Sequence, residues 1–475
     1  MMIIEILLYL GILIILYSYF GYGIVALVLR KVKVIRELFP LPYNSIPSKQ
    51  VEADDFFPTV SLIISASGES SQIIIDKIEN TIGLIYPKEK LEIIFALAFD
   101  PKNKVDETFD EYYNQQIDDK IESGASPKEE ELYIKFMVIE NLAASNKKEA
   151  IEKLESLLKS DYFDSDGLSS GNKDALDDRM TEGALSPRIY VTKDIVRKGK
   201  FSQVKRSVTK ASGSIIVFSD ANSMFNAEAL IEIVKHFRDQ CVGCVSGEKR
   251  VLKSADSTSD EGEGLYWKYE SFLKKLDSDI YSAVGAAGEI FAVRKSLWDD
   301  SVPNNAIIED FVVSLRIAQQ GYRIRYEPNA YAQEEPTKDL KSEFIRRRRI
   351  SSGGFQAIVW LKAIMNPFKY GILSFLFVSH RVLRWAVVPF LLPIVLLLNI
   401  LALMIEPSGI NTALIVLQIV FYVFSGIGYI LETKRIKVKV FYFPYTLLMM
   451  NIAALAGFNN YRKGNLNPVW ERVNR

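Results

Sequence analysis

Oxygen-bearing and cationic side chains gather at a few points along the chain. The stretch VFSDANS (217–223) closes an apolar run, 214–218, with Asp220 and Asn222 two residues apart. Ser, Asp and Asn favour turns through local hydrogen bonds, but a carboxylate and an amide at this spacing also offer oxygen ligands to a hard divalent cation. LEIIFALAFD (91–100) ends in another acid, Asp100. In AIIEDF (306–311), Glu309 and Asp310 precede an amphipathic pattern. Acids there either suit a helix N-terminus or, if buried, act as a general base. Lys200 lies in the basic, small-residue stretch 197–213, which either faces phosphate or forms a solvated helix face. Four consecutive arginines, Arg346–Arg349, are either membrane-adjacent or bidentate phosphate ligands.

The composition narrows the chemistry. Lys+Arg and Asp+Glu both total 58, so net charge favours no polyanionic partner and no nucleic acid. Cys241 and Cys244 form one C-x-x-C, with no second pair to complete a metal site; among Val and Gly they read as small core residues. His236 and His380 are the only histidines, so acid–base work falls to carboxylates.

These groups must be positioned by two kinds of element. Residues 3–29 are apolar with one charge, Glu5, and exceed the roughly 20 residues that span a bilayer. Arg30, Lys31, Lys33 and Arg36 follow, which places that end in the cytoplasm. Further apolar runs occupy about 385–405, 411–431 and 438–457; Pro444 in the last leaves open whether it crosses or re-enters. The stretch before them carries Lys369, His380, Arg381 and Arg384, the pattern of an amphipathic helix lying at the interface.

Between the membrane segments, TVSLIISASGES (59–70), LEIIFALAFD and SIIVFSDANS read as short buried strands alternating with helical stretches such as 227–239. That rhythm predicts a doubly wound α/β sheet whose ligands sit at the carboxyl ends of strands. Asp100 and Asp220 would share that edge. Residues 103–187 break the rhythm: acids outnumber bases, and 161–178 are rich in Asp, Ser and Gly. An EF-hand loop starting at Asp161 fails because its twelfth position is Asn172. The segment is expected to be a solvated insertion. In 282–298, Gly285 and Gly288 permit close approach of a ligand or backbone.

Taken in order, the anchor, the small-residue turn, the strand ending in Asp100, the Gly-Lys segment, VFSDANS, VSGEKR, GLYWKYE, GAAGEIFAVRK, IIEDF, GYRIRYEP, RRRRI and the membrane helices resemble the membrane-bound, processive-type glycosyltransferases of family 2. These are relatives of hyaluronan, cellulose and poly-N-acetylglucosamine synthases. The resemblance covers nearly everything except the acidic insertion. It implies a GT-A-like nucleotide-diphospho-sugar transferase domain plus transmembrane helices, transferring sugar with inversion from a UDP-sugar to a growing polysaccharide or lipid-linked glycan. A single addition to a polyprenyl-phosphate carrier is the alternative within the class, and a catalytically silent membrane scaffold is the alternative outside it.

The resemblance also implies roles. Asp310, with Glu309, takes the general-base position. Ala66, Glu69, Asp100, Lys200, Asp220, Arg346 and Arg349 contact the nucleotide or donor, and Trp267, Gly285 and Gly288 the acceptor. Asp220 and Asn222 stand where the family holds Mg²⁺ or Mn²⁺. The pattern departs at Asn222, an amide in place of an acid, and at 346–350, where the Gln and Trp of QxxRW are replaced. The implied organisation is an anchor (1–30), a linker (31–57), and a cytoplasmic catalytic domain (58–360) interrupted at about 103–187. Interfacial helices (361–384), membrane helices (385–457) and a basic tail (458–475) follow. The expected location is the plasma membrane, multi-pass and in contact with membrane lipid, with any protein partner at the acidic insertion.

Overall fold

The computed structural model describes residues 2–51, 56–66, 71–97, 133–134, 188–193, 199–252, 260–335, 340–434, 436 and 438–466. Nine strands form one sheet, numbered in chain order: β1 Val60–Ala66, β2 Leu91–Leu97, β3 Tyr133–Ile134, β4 Arg188–Lys193, β5 Ile215–Asp220, β6 Met224–Phe225, β7 Val242–Val251, β8 Ile290–Arg294 and β9 Arg323–Glu334. Their order is β3-β4-β2-β1-β5-β8-β7-β9-β6. The expected parallel sheet is present as β4-β2-β1-β5. Beyond β5 the pairing turns antiparallel to β8 and then to β7, and β7 pairs parallel with β9. The sheet is therefore mixed.

Strand alternation builds a core on each face. Leu62, Ile64, Ile215 and Val217 point to one layer, with Ile78 and with Leu230 and Ile233 of a short helix. Ile63, Ile216 and Phe218 point to the other, with Phe201 and Val204. The β1 and β5 strands are apolar almost throughout because both of their faces are covered. Cys241 and Cys244 are buried free thiols in this interior, as their neighbours suggested. Burial pushes the Cys241 thiol up to about 11.

Among the described residues, four helical stretches are long and apolar enough to cross a membrane: Met2–Lys31, Pro367–Ile405, Gly409–Thr433 and Val440–Arg462. They make this a membrane protein. Within them lie α1 (Met2–Leu16) and α2 (Tyr22–Lys31). The sheet-covering helices are α3 (Ser71–Ile82), α4 (Lys200–Lys210), α5 (Ala229–Val234), α6 (Asp260–Ile280) and α7 (Glu309–Gln319), followed by α8 (Leu340–Trp360). Then come α9 (Pro367–Phe377), a π-helical segment (Val378–Val387), α10 (Val388–Ile405), α11 (Gly409–Thr433) and α12 (Lys439–Arg462). The last continues through Pro444 without a break.

Of the charges in the 361–384 region, Lys369 is exposed as expected, but the later ones do not lie on a polar outer face. His380, Arg381 and Arg384 are buried. His380 Nδ1 lies 2.5 Å from Asp277, and Arg381 lies 2.6 Å from Glu270. Both acids belong to α6, more than a hundred residues earlier, and supply the counter-charge that burial requires. Tyr22 of α2 donates to Asp277 from the other side, and Arg30 pairs with Asp279 at 3.0 Å. The helix α6 is thus fastened between the first and second long apolar stretches by a largely buried polar network.

Removing one member leaves a buried carboxylate short of a donor. Tyr22→Phe is expected to destabilise the protein by about 1–3 kcal/mol, read as a lower thermal midpoint in detergent. An unchanged midpoint would show that the network carries no structural weight.

Candidate active site

The β5–β8 register sets the site. Ser219 pairs with Ile290, so Asp220 at the end of β5 comes beside Glu289. Lys200, the first residue of α4, reaches both carboxylates that face it: its Nζ is 2.5 Å from Asp220 and 3.2 Å from Glu309. Burial lifts the Asp220 carboxyl above its ordinary value; Lys200 opposes the rise and Glu334 adds to it. Burial also opposes the charge of Lys200, but Asp220 and Glu309 outweigh it and hold the ammonium on.

Glu309 and Asp310 occupy the first turn of α7, whose N-cap residue is Ile308 without a side-chain cap. The helix dipole favours acids there, yet the Asp310 carboxyl is raised to about 7, chiefly by burial and then by Glu309. A Cβ at Gly288 would lie 3.3 Å from the Asp310 carboxyl, so the backbone passes close to it. Gly285 has φ +92°, and a Cβ there would stand 2.2 Å from the Phe311 ring. Only glycine fits both conditions.

A cavity of about 360 Å³ collects these groups. Lys200, Asp220, Glu309 and Asp310 line it, as do Arg346 and Arg349 from α8 and Trp267 and Gly288. Trp267 lies between two cations, with Lys249 at 5.6 Å and Arg347 at 5.9 Å from its ring. Burial lowers the Arg349 guanidinium, while Glu309, Asp220 and Asp310 support its charge. Most of the residues singled out from the sequence therefore meet in one place. Gly285 lies a layer beneath the cavity against Phe311, Ala66 is buried at the end of β1, and Asn222 is half-buried in the turn after β5. Glu69, Asp100 and nearly all of 103–187 lie outside the described residues.

Whether the site suits a divalent cation is decided by its donor set. Among the described residues no three His, Cys, Asp or Glu side chains cluster as a metal cage. Asp220 and Asn222 supply one carboxylate and one amide, the sparse protein share typical where phosphate and water complete the shell. The carboxylates around Asp220 already draw a cation, since the Lys200 ammonium sits between Asp220 and Glu309. The residues fit such an ion.

Several residues that shape the site carry no mark in the sequence. Lys77 of α3 is fully buried; its Nζ donates to the Ser223 carbonyl and lies 4.2 Å from the Phe225 ring. Ser223 donates through its hydroxyl to Glu334. Lys249 pairs with Glu334 at 2.6 Å and with Glu289. This chain holds the 220–223 turn from below. The Lys77 period within QIIIDKIENTI is that of an ordinary amphipathic helix, and only the partner element reveals that this lysine points inward. The histidines stay out of the cavity lining: His236 pairs with Glu327 at 2.7 Å.

Burial pulls the Lys77 ammonium down to about 7, with Asp220 and Glu334 opposing. Between that value and the unfolded lysine's ordinary pKa of about 10.4, the unfolded chain holds a proton that the folded chain lacks. Stability must therefore rise with pH in this window, by at most about 1.4 kcal/mol per unit from this group. Unfolding midpoints measured across the window should show that rise in the parent and lose it in Lys77→Met; equal slopes in the two proteins would refute the burial of a charge here.

Comparison with known proteins adds to this geometry. Residues 215–454, half of the chain, match the family described as Glycosyl transferase family group 2. The poly-beta-1,6-N-acetyl-D-glucosamine synthase of Staphylococcus aureus (strain COL) is 24% identical over 172 residues, 34% of this chain and 40% of that protein. The probable glycosyltransferase YdaM of Bacillus subtilis (strain 168) is 26% identical over 191 residues, 36% of this chain and 41% of that protein. The matches thus span about two fifths of the length of these relatives. Among solved structures, the mannosyltransferase PcManGT from Pyrobaculum calidifontis, in complex with GDP-Man and Mn²⁺, covers 96% of this chain and 99% of its own. Its TM-score of 0.55 at 18% identity shows a shared fold. The chain belongs to glycosyl transferase family group 2, and it is a glycosyltransferase of GT-A fold.

Proposed function

We propose that the protein transfers a sugar from a UDP-sugar, with inversion, to a hydroxyl of a growing polysaccharide or lipid-linked glycan at the cytoplasmic face of a plasma membrane that it crosses several times. The observation that carries this reading is Asp310. It is a carboxylate with a proton affinity near neutrality, in the same cavity as Asp220, Lys200 and the α8 arginines. The name of the Staphylococcus aureus relative supports a β-linked sugar polymer as the class of product.

The diphosphate of the donor is held by Arg346, Arg349 and Lys200, which answer its charge from two sides of the cavity. A divalent cation, Mg²⁺ or Mn²⁺, would be held by Asp220 and Asn222 and would supply charge neutralisation for the leaving diphosphate. Asp310 accepts the proton of the acceptor hydroxyl as that oxygen bonds to the anomeric carbon. The bond from that carbon to the diphosphate oxygen breaks, and UDP leaves with the electron pair. A carboxyl near pKa 7 is well matched to this task, because it is both substantially ionised and appreciably basic at neutral pH. Glu309 helps to raise it, and Lys200 moderates the repulsion between the two acids. Trp267 and Gly288, lining the same cavity, offer the acceptor sugar a ring face and an unobstructed backbone.

Detergent-purified protein should release UDP from one member of a panel of UDP-sugars in the presence of Mg²⁺ or Mn²⁺, and a chelator should stop it. Asp310→Asn is expected to lower kcat by roughly a hundredfold or more while leaving UDP affinity intact. Because the ionised form is the active one, kcat/KM should climb about tenfold per pH unit below about 7 and level off above it. Parent-like turnover in Asp310→Asn, or a flat acid limb, removes Asp310 from the base position. Failure to bind UDP at all would favour the catalytically silent scaffold.

A further inference from the structure

The wall of the cavity opposite β5 has its own electrostatics. Arg381 Nη1 lies 2.6 Å from Glu270 Oε1, and Arg384 Nη1 lies 3.2 Å from Glu270 Oε2. His380 Nε2 approaches the same carboxylate at 3.4 Å. One turn further along α6 stands Lys274, only 7% exposed and lining the cavity. It makes no hydrogen bond or ion pair to any described residue, and its Nζ lies 6.0 Å from the centre of the Tyr326 ring. Glu289, the next acid along the cavity, is already engaged by Lys249. Two guanidinium groups and an imidazole thus converge on one carboxylate.

A buried ammonium without a partner is costly. Burial lowers the Lys274 pKa, although Glu270, Glu289 and Asp310 favour its charge and Arg381 disfavours it. An oxyanion arriving in the cavity would give Lys274 an acceptor and would sit beside the guanidinium groups of Arg381 and Arg384. Tyr19, Met450, Asn451 and Ala454, all from membrane-crossing stretches, line the same cavity. The cationic wall therefore lies in a space shared by Asp310 and the membrane helices, where an acceptor would have to sit.

We propose that Lys274, Arg381 and Arg384 form an oxyanion subsite that takes a phosphoryl or carboxylate group borne by the acceptor. The subsite rests on the assignment of this cavity to sugar transfer, and it narrows the acceptor from any hydroxyl-bearing glycan to an acidic one. Its source is either a lipid phosphate reaching in from the bilayer or an acidic sugar of the glycan; the oxyanion chemistry is common to both.

The test uses the full-length protein in phosphatidylcholine nanodiscs and measures equilibrium binding of dodecyl phosphate and of methyl glucuronide, with UDP titrated separately. At least one probe should bind the parent and bind Lys274→Met about tenfold more weakly, the loss of one charge-assisted contact. Lys274→Arg should restore binding, and UDP affinity should be the same in all three proteins. Which probe binds identifies the source. The thermal midpoint of Lys274→Met should hold or rise, because the variant removes an unpaired buried charge. The proposal fails if neither probe binds the parent, or if Lys274→Met binds both probes as the parent does. It also fails if binding is lost together with a lowered midpoint, since Lys274 would then be structural. Absent UDP binding alongside Lys274-dependent probe binding would overturn the transferase reading and leave the subsite standing.

Discussion

The structure is organised around the problem of keeping several carboxylates together at one edge of a sheet. Asp220, Glu289, Glu309, Asp310 and Glu334 all interact across the same small region. Left alone in a poorly hydrated site, such a group would take up protons until its charge was relieved. Lysines from three elements prevent that. Lys200 bridges Asp220 and Glu309, Lys249 bridges Glu289 and Glu334, and Lys77 props the turn between them. The division of labour is uneven in a useful way. Glu289 is held below the ordinary carboxylate range because Lys249 outweighs its burial, whereas Asp310, with no lysine to itself, is left near neutrality.

The mixed sheet makes that arrangement possible. In a wholly parallel sheet the carboxyl ends of the strands share an edge, and turns from opposite ends never meet there. The switch to antiparallel pairing at β8 brings the start of that strand, with Glu289 just before it, to the end of β5. The long β9 strand then carries Glu334 to the same edge through its parallel pairing with β7. Gly285 and Gly288 are consequences of this crowding: the segment entering β8 passes Phe311 at the first and Asp310 at the second, where a side chain would crowd them.

Much of the site was legible because its residues close strands or open helices. Asp220, Lys200 and Glu309 lie at element ends, and the α8 arginines form an uninterrupted run; both signals are visible without a structure. The supporting residues were not, for a physical reason. Lys77 and Lys274 sit within amphipathic helices where period alone cannot distinguish a lysine on the solvent face from one turned toward a partner. His380, Arg381 and Arg384 suggested an interfacial helix because their counter-charges, Glu270 and Asp277, lie more than a hundred residues away. Charge pairing at that separation is a property of the fold, and a local pattern has no means of expressing it. The two cysteines show the opposite case, since an apolar neighbourhood was enough to place them in the interior.

The same distant pairing bears on how the membrane helices contribute. If α1, α2 and the C-terminal helices were only an anchor, the cavity could be completed by the sheet domain alone. Instead its lining includes Tyr19, Arg381, Arg384, Trp385 and Asn451, all from stretches long and apolar enough to cross a membrane. Trp385 packs 5.0 Å from the Phe311 ring, the residue immediately after Asp310. Tyr22 reaches Asp277, and Asn451 donates to the Tyr19 hydroxyl at 2.7 Å. Hydrogen bonds of this kind are directional and tolerate little displacement, so a shift of α2 or α12 would be felt at α6 and the cavity wall. The surroundings of Asp310 are therefore set jointly by the sheet and by the long apolar helices. The long apolar helices therefore help to build the cavity and do more than tether the sheet domain.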